Sequence, residues 1–142
     1  MERRHVNAGS PAEILTMARI LERGWTVSLP YGGKAGYDLL ADTGTQLLRI
    51  QVKTIYLGNF KNRSRWIMSF LKPRNKDHGW RKYTKADCDY IVGMCPENSR
   101  CFVFPIEDCA SRRQATFDFG GTPLRKSLDS KWVMSYEDAW PD

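Results

Sequence analysis

Gln51, Val52 and Lys53 lie in a stretch, Leu47 to Thr54, where Leu48, Ile50 and Val52 alternate with Arg49, Gln51 and Lys53. Alternation of period two marks a strand with one apolar and one polar face, so the Gln51 amide and the Lys53 ammonium project from the same side. Tyr37 to Ala41 reads as a second strand, and Asp42-Thr43-Gly44-Thr45-Gln46 as the hairpin connection between the two. Pairing Asp42 near Leu47 sets Asp38 opposite Gln51, and a carboxylate, an amide and an ammonium converge. Oxygen donors from Asp38 and Gln51, helped by a backbone carbonyl such as that of Val52, suit a hard divalent ion like magnesium. Such an ion keeps several waters for a phosphate to displace. Lys53 beside a scissile phosphate would stabilise charge developing on its oxygens or, with a lowered pKa, orient and help deprotonate the attacking water. These are the components of metal-assisted phosphodiester hydrolysis.

A helix is expected upstream, from about Pro11 to Arg23: Ser10 can cap it, Pro11 suits its first turn, Glu13 falls three residues after the cap, and Gly24 can end it. With Glu13 set at zero, Met17, Leu21, Ile14 and Ala18 fall at about 40°, 80°, 100° and 140°, and Ile20 at about −20°. Arg19, Glu22 and Arg23 take the other side. The helix is therefore expected to pack on a sheet through the face that runs from Ile20 to Ala18, with Glu13 on its edge pointing its carboxylate at whatever that sheet carries.

Glu13 on the first helix, then Gly36-Tyr37-Asp38, then Gln51-Val52-Lys53, resembles the PD-(D/E)XK nuclease superfamily. The Gln-x-Lys variant at this spacing is similar to the small homing endonucleases encoded in bacterial group I introns. The resemblance covers about the first 55 residues, extends loosely to the stretch from Asp87 to Met94, and departs from the motif at Tyr37, where its name puts Pro, and at Gln51, which replaces an acid. It implies an α/β fold, a mixed β-sheet flanked by helices with a restriction-endonuclease-like αβββαβ core, and a magnesium-dependent cut of double-stranded DNA. It also implies a homo-oligomer, dimer or tetramer, and a bacterial or phage-encoded source. On that reading Asp38 binds metal, Gln51 and the Val52 carbonyl add neutral ligands, Lys53 is the transition-state or water-activating group, and Glu13 is an accessory acid. Each residue also has an ordinary explanation. Glu13 fits a capping box with Ser10, Asp38 a turn-proximal acid, and Gln51 with Lys53 the wet face of a strand.

The charge distribution points the same way. The 142 residues carry a net charge of +6, yet residues 54 to 85 hold nine basic side chains against the single acid Asp77. A basic excess confined to one stretch is the footprint of a polyanion-binding face, where a solvated charge run would mix signs. Lys61-Asn62-Arg63-Ser64-Arg65 and Lys72-Pro73-Arg74-Asn75-Lys76 read as two exposed basic loops flanking a strand at Trp66 to Leu71, placed to neutralise phosphates and reach base edges. Arg81 and Lys82 would extend this track, and Lys34 in the Gly-rich loop before Asp38 would touch the backbone beside the cut. One site cuts one strand, so a double-strand cut calls for subunits related by a twofold axis. Trp132, Tyr136 and Trp140 are the candidates for the subunit contact.

Length fits one domain spanning residues 1–142, and 42% apolar with 27% charged residues fits a chain able to bury a core without staples. The residues after Met1-Glu2-Arg3-Arg4 are polar and small, and no apolar run approaches about 18 residues, which points to a cytoplasmic protein. Cys88, Cys95, Cys101 and Cys109 form no Cys-x-x-Cys pair, so reduced thiols packed around strands are expected instead of a zinc site. No Gly-x-Ser-x-Gly or phosphate-loop pattern occurs. Further strands are expected at Trp25 to Leu29, Asp89 to Met94 and Cys101 to Phe104, a helix near Glu107 to Gln114, and a last strand at Trp132 to Ser135. Two other functions fit the same residues: a Holliday-junction resolvase or restriction-type nuclease sharing the core, and a non-catalytic nucleic-acid-binding module on the same scaffold.

Overall fold

The computed structural model describes residues 10–33, 35–61, 63–73, 79–120 and 128–142. Helix α1 (Pro11–Glu22) is followed by strands β1 (Thr26–Ser28), β2 (Leu39–Asp42), β3 (Leu47–Thr54), β4 (Tyr56–Phe60), β5 (Arg63–Ser69), β6 (Leu71–Pro73), β7 (Trp80–Lys82), β8 (Tyr90–Cys95) and β9 (Arg100–Pro105). A 3-10 turn (Ile106–Cys109), strand β10 (Gln114–Phe117) and helix α2 (Leu128–Met134) complete the order. Five strands form a central sheet in the order β1-β2-β3-β8-β9, antiparallel except where β3 runs parallel to β8. The mixed sheet with helices is the architecture expected. No helix among the described residues is long and apolar enough to cross a membrane.

The β2–β3 hairpin has the expected register, with Asp42 opposite Leu47 and Leu39 opposite Ile50. Alternation then gives the sheet two faces. Leu48, Ile50 and Val52 join Leu39, Ala41, Val92, Met94, Cys101 and Val103 in one apolar cluster beneath α1. On the other face Ile91, Cys95, Phe102 and Phe104 pack against Ile55, Met68, Phe70, Phe117 and Val133. All four cysteines are buried free thiols, in keeping with expectation.

Helix α1 has the expected bounds, and the Ser10 hydroxyl accepts from the Glu13 N–H at 3.2 Å, but its orientation differs. It buries Ala12, Thr16 and Ile20 and leaves Ile14, Ala18 and Leu21 outward. Thr16 stands within this buried stripe, where its hydroxyl donates to the Ala12 carbonyl at 2.8 Å and so enters the core with its hydrogen bond made. Small side chains at 12 and 16 also let the helix approach the sheet closely. The wheel turns accordingly, and Glu13 still borders the buried stripe.

Four other expectations are corrected. Residues 56–60 form a strand, so β4 and β5 make an antiparallel hairpin where a basic loop was expected, and Arg63 and Arg65 stand on β5. Among the described residues the crossover from β3 to the parallel β8 runs through strands β4 to β7 with no helix, and β5 also pairs with β10. The helix expected near 107–114 is one 3-10 turn followed by β10, and the strand expected at 132–135 begins inside α2. The C-terminal rings pack within the chain. Trp132 and Tyr136 lie on Phe104, and Trp140 meets Trp25 edge-on at 6.0 Å. These half-buried rings complete the core from the C-terminal side.

Substituting neighbours on α1 tests its orientation. Ile20→Ala, at a fully buried position, is expected to cost about 2–5 kcal/mol. Leu21→Ala, at a position 57% exposed, should stay within about 0.5 kcal/mol. Urea unfolding of the two variants measures both, and a cost at Leu21 as large as that at Ile20 would restore the wider face expected from the sequence.

Candidate active site

The site begins where β2 and β3 part. The Asp38 N–H donates to the Ile50 carbonyl at 2.8 Å, and the Val52 N–H donates to Asp38 Oδ2 at 2.9 Å. A strand N–H pointing toward β2 would ordinarily find a backbone carbonyl there. Here the chain before Asp38 has turned away, and the carboxylate fills the vacated ladder position. It therefore lies at the forked edge of the sheet, within electrostatic reach of Glu13 from α1 and of Lys53 from β3.

Glu13 reaches this point from α1. Burial, and secondarily repulsion from Asp38, push its carboxyl up to about 7. Burial also raises Asp38, opposed by the Val52 N–H and the charge of Lys53. Lys53 is shifted down by burial, which outweighs the attraction of Asp38. Two carboxylates that interact with each other thus stand in a desolvated place with one partly buried ammonium. The Lys53 Nζ donates to the Leu71 carbonyl at 2.8 Å and lies 5.1 Å from the centre of the buried Tyr83 ring. Gln51 keeps its amide beside the same strand, donating at 3.4 Å to the Val52 carbonyl.

These donors fit a hard divalent cation. Asp38, the Gln51 side-chain oxygen and the Val52 carbonyl offer oxygen donors, and the raised carboxyls of Asp38 and Glu13 show charged forms that lack the counter-charge a cation would supply. Among the described residues no three His, Cys, Asp or Glu side chains cluster. A cation held here would need the neutral Gln51 and Val52 oxygens beside Asp38. The thiols are no competitors: burial pushes Cys88, Cys101 and Cys109 up to about 12.

Around the site lie acids of the opposite character, which the sequence reading did not single out. Asp87, 9% exposed, accepts both guanidinium nitrogens of Arg81 at 3.0 and 3.1 Å and the Thr84 N–H at 2.9 Å. Lys72 stands 3.6 Å away. The Arg81 contact foremost holds Asp87 down to about 2. Asp89 accepts from the Arg49 backbone and guanidinium, and these contacts with Lys85 overcome its burial and hold it at about 2 as well. Nothing in an Asp-Cys-Asp run distinguishes such acids from surface ones, because their partners come from β3, β6 and β7.

The basic residues separate into two sets. Lys61, Arg63 and Arg65 belong to the β4–β5 hairpin, where Arg63 is exposed and the Arg65 Nε is buried with no hydrogen-bond partner among the described residues. Lys72 and Arg81 are turned inward onto Asp87, and the Lys82 ammonium donates to the Ala110 carbonyl. Lys34, Arg74 and Lys76 lie outside the described residues.

A family model for the PD-(D/E)XK endonuclease matches residues 5–138, nearly the whole chain and all the residues of this site. The chain belongs to the PD-(D/E)XK endonuclease family. Among solved structures it is similar to a bacterial homing endonuclease, I-Ssp6803I, at 24% identity and a TM-score of 0.74, over 91% of this chain and 85% of that one. It is also similar to MepB, at 16% identity and a TM-score of 0.54, over 88% of this chain and 93% of that one. At these identities the likeness is one of fold. Comparison with curated protein sequences finds no match.

The raised acids give a pH signature in the metal-free protein. Glu13 binds its proton more tightly folded than unfolded, so stability should fall as pH rises from its ordinary 4.5 to about 7. Asp38 contributes in the same sense. Thermal unfolding of Glu13→Gln across this range should show a flatter profile than the parent, and Glu13→Gln with Asp38→Asn a flatter one still. An unchanged slope would remove the carboxylate pair.

Proposed function

We propose that the chain is a divalent-metal-dependent endonuclease that hydrolyses phosphodiester bonds of double-stranded DNA, of the homing type and working with magnesium as a dimer or tetramer. The observation that carries this reading is the Asp38 carboxylate held at the sheet fork by the Val52 N–H, with Glu13 and Lys53 electrostatically coupled to it. The name of the structural neighbour I-Ssp6803I, a bacterial homing endonuclease, supports the choice of substrate and type.

Asp38, Gln51 and the Val52 carbonyl would hold the cation, which when bound supplies Lewis-acid stabilisation and activation of water. The chain's own groups do the rest. Asp38 is fixed by a backbone donor, so its charge is placed before substrate arrives. Lys53, shifted down by burial, presents an ammonium that can pair with a phosphate oxygen or hold the attacking water, while the Leu71 carbonyl and the Tyr83 ring set its direction. Glu13 is the accessory acid, able to take or release a proton near neutrality. Lys61, Arg63 and Arg65 on the β4–β5 hairpin contact the DNA, and Lys34, Arg74 and Lys76 extend that contact. One site per chain cuts one strand, and a second copy cuts the other.

Incubation with a randomised duplex library in Mg²⁺ or EDTA, followed by sequencing of the ends, tests the activity and reports the stagger. Site-specific ends are expected only with Mg²⁺, and salt-dependent binding without product at every magnesium concentration would leave a binding module instead. On a cleaved site, Lys53→Ala should slow single-turnover cleavage by about 10²–10³-fold. Asp38→Asn should abolish it with DNA affinity retained, and full activity in either variant would refute the mechanism.

A further inference from the structure

The β6–β7 ribbon touches the catalytic end of the sheet at two places. At its start, the Leu71 carbonyl accepts the Lys53 ammonium. At its far strand, Arg81 grips Asp87 with both guanidinium nitrogens while Lys72, opposite Arg81 in the ribbon, reaches the same carboxylate from β6. Asp87 in turn lies against Gly36, two residues before Asp38. A Cβ built on Gly36 would stand 2.8 Å from the Asp87 Cα and 2.8 Å from its Oδ1, closer than any side chain permits. Gly36 is thus required by the close approach of the Asp87 backbone and carboxylate. The packed chain from cation to site runs Arg81 and Lys72, Asp87, Gly36, Asp38.

We propose that Asp87 is a positioning residue that locks the basic β6–β7 ribbon to the Gly36–Asp38 turn and thereby sets where the Asp38 carboxylate stands. The inference rests on the nuclease reading for its catalytic consequence, but its structural half is independent of it. Asp87 has no role as a ligand. Its two oxygens are taken by Arg81, Lys72 and the Thr84 N–H, and it acts through the Gly36 backbone. Without the charge of Asp87 the bidentate Arg81 contact is lost, the ribbon and the turn are free to part, and the carboxylate at the fork loses its fixed placement. The same lock explains two basic residues of the ribbon that point inward although their sequence context reads as a phosphate-binding loop.

The test uses the full chain with Asp87→Asn and, separately, Gly36→Ala, which keeps every charge and forces the turn away from Asp87. Single-turnover cleavage at saturating DNA is expected to fall about 10²-fold in both, a loss typical of misplacing a reacting group by about 1 Å. DNA affinity should hold within about threefold or tighten, since Arg81 and Lys72 are released toward phosphate. Amide exchange on the metal-free protein supplies a readout that general weakening would not give. The Asp38 amide should lose protection while those of β8 and β9 keep it. Arg81→Lys, at a partly exposed side chain that leaves the core untouched, should reproduce a smaller form of both effects if the buried variants do not fold. Cleavage within about threefold of the parent and a protected Asp38 amide in the variants would overturn the proposal. A parent protein that cuts no duplex would overturn the nuclease reading instead, with the exchange result still deciding the lock.

Discussion

The hydrogen bond from the Val52 N–H to the Asp38 carboxylate is the constraint on which the site depends. It is possible only because β2 leaves β3 after one more backbone contact, from the Asp38 N–H to the Ile50 carbonyl. A strand that continued would have filled the position with a carbonyl and sent the Asp38 side chain squarely to one face. By splitting, the sheet keeps its ladder satisfied and places a negative charge at its forked edge. Groups from both faces, Glu13 from the helix layer and Lys53 from the opposite side, then share one electrostatic neighbourhood.

Acids elsewhere in the chain show how unusual that neighbourhood is. Asp87 and Asp89 are each surrounded by guanidinium, ammonium and backbone N–H donors and held at about 2. At Glu13 burial goes unanswered, and at Asp38 it outweighs the Val52 N–H and the charge of Lys53, so both carboxyls rise. Burial raises a carboxyl unless donors outweigh it, so the molecule separates its acids into those that fasten elements together and those whose charge is left poorly compensated. Asp89 fastens β3 to the start of β8 through Arg49, and Asp87 fastens the ribbon to the turn before Asp38.

The crossover between β3 and β8 supplies the rest of the setting. A parallel pair needs a long connection, commonly a helix, and among the described residues it is made here of strands that leave the central sheet as a hairpin and return as a ribbon. This places the basic residues on two separate pieces. Those on the hairpin face outward or stand partly buried beside it, while those described on the ribbon are spent on Asp87 and a backbone carbonyl.

Much of this was legible from residue order alone where the interaction was local and periodic. The α1 bounds followed from Ser10, Pro11 and Gly24, and the β2–β3 register from alternation and a five-residue connection, because caps, turns and pleats act over a few residues. The family followed from Gly36-Tyr37-Asp38 and Gln51-Val52-Lys53, whose spacing survives whatever the rest of the chain does. What faced inward on α1 was not legible, since Thr16 counts as polar until its hydroxyl finds the Ala12 carbonyl. Nor were the roles of Asp87, Tyr83 and the Leu71 carbonyl, or the inward turn of Lys72 and Arg81. Those depend on which strands meet at the fork, and charges distant along the chain choose partners only after hydrophobic burial has brought their elements together.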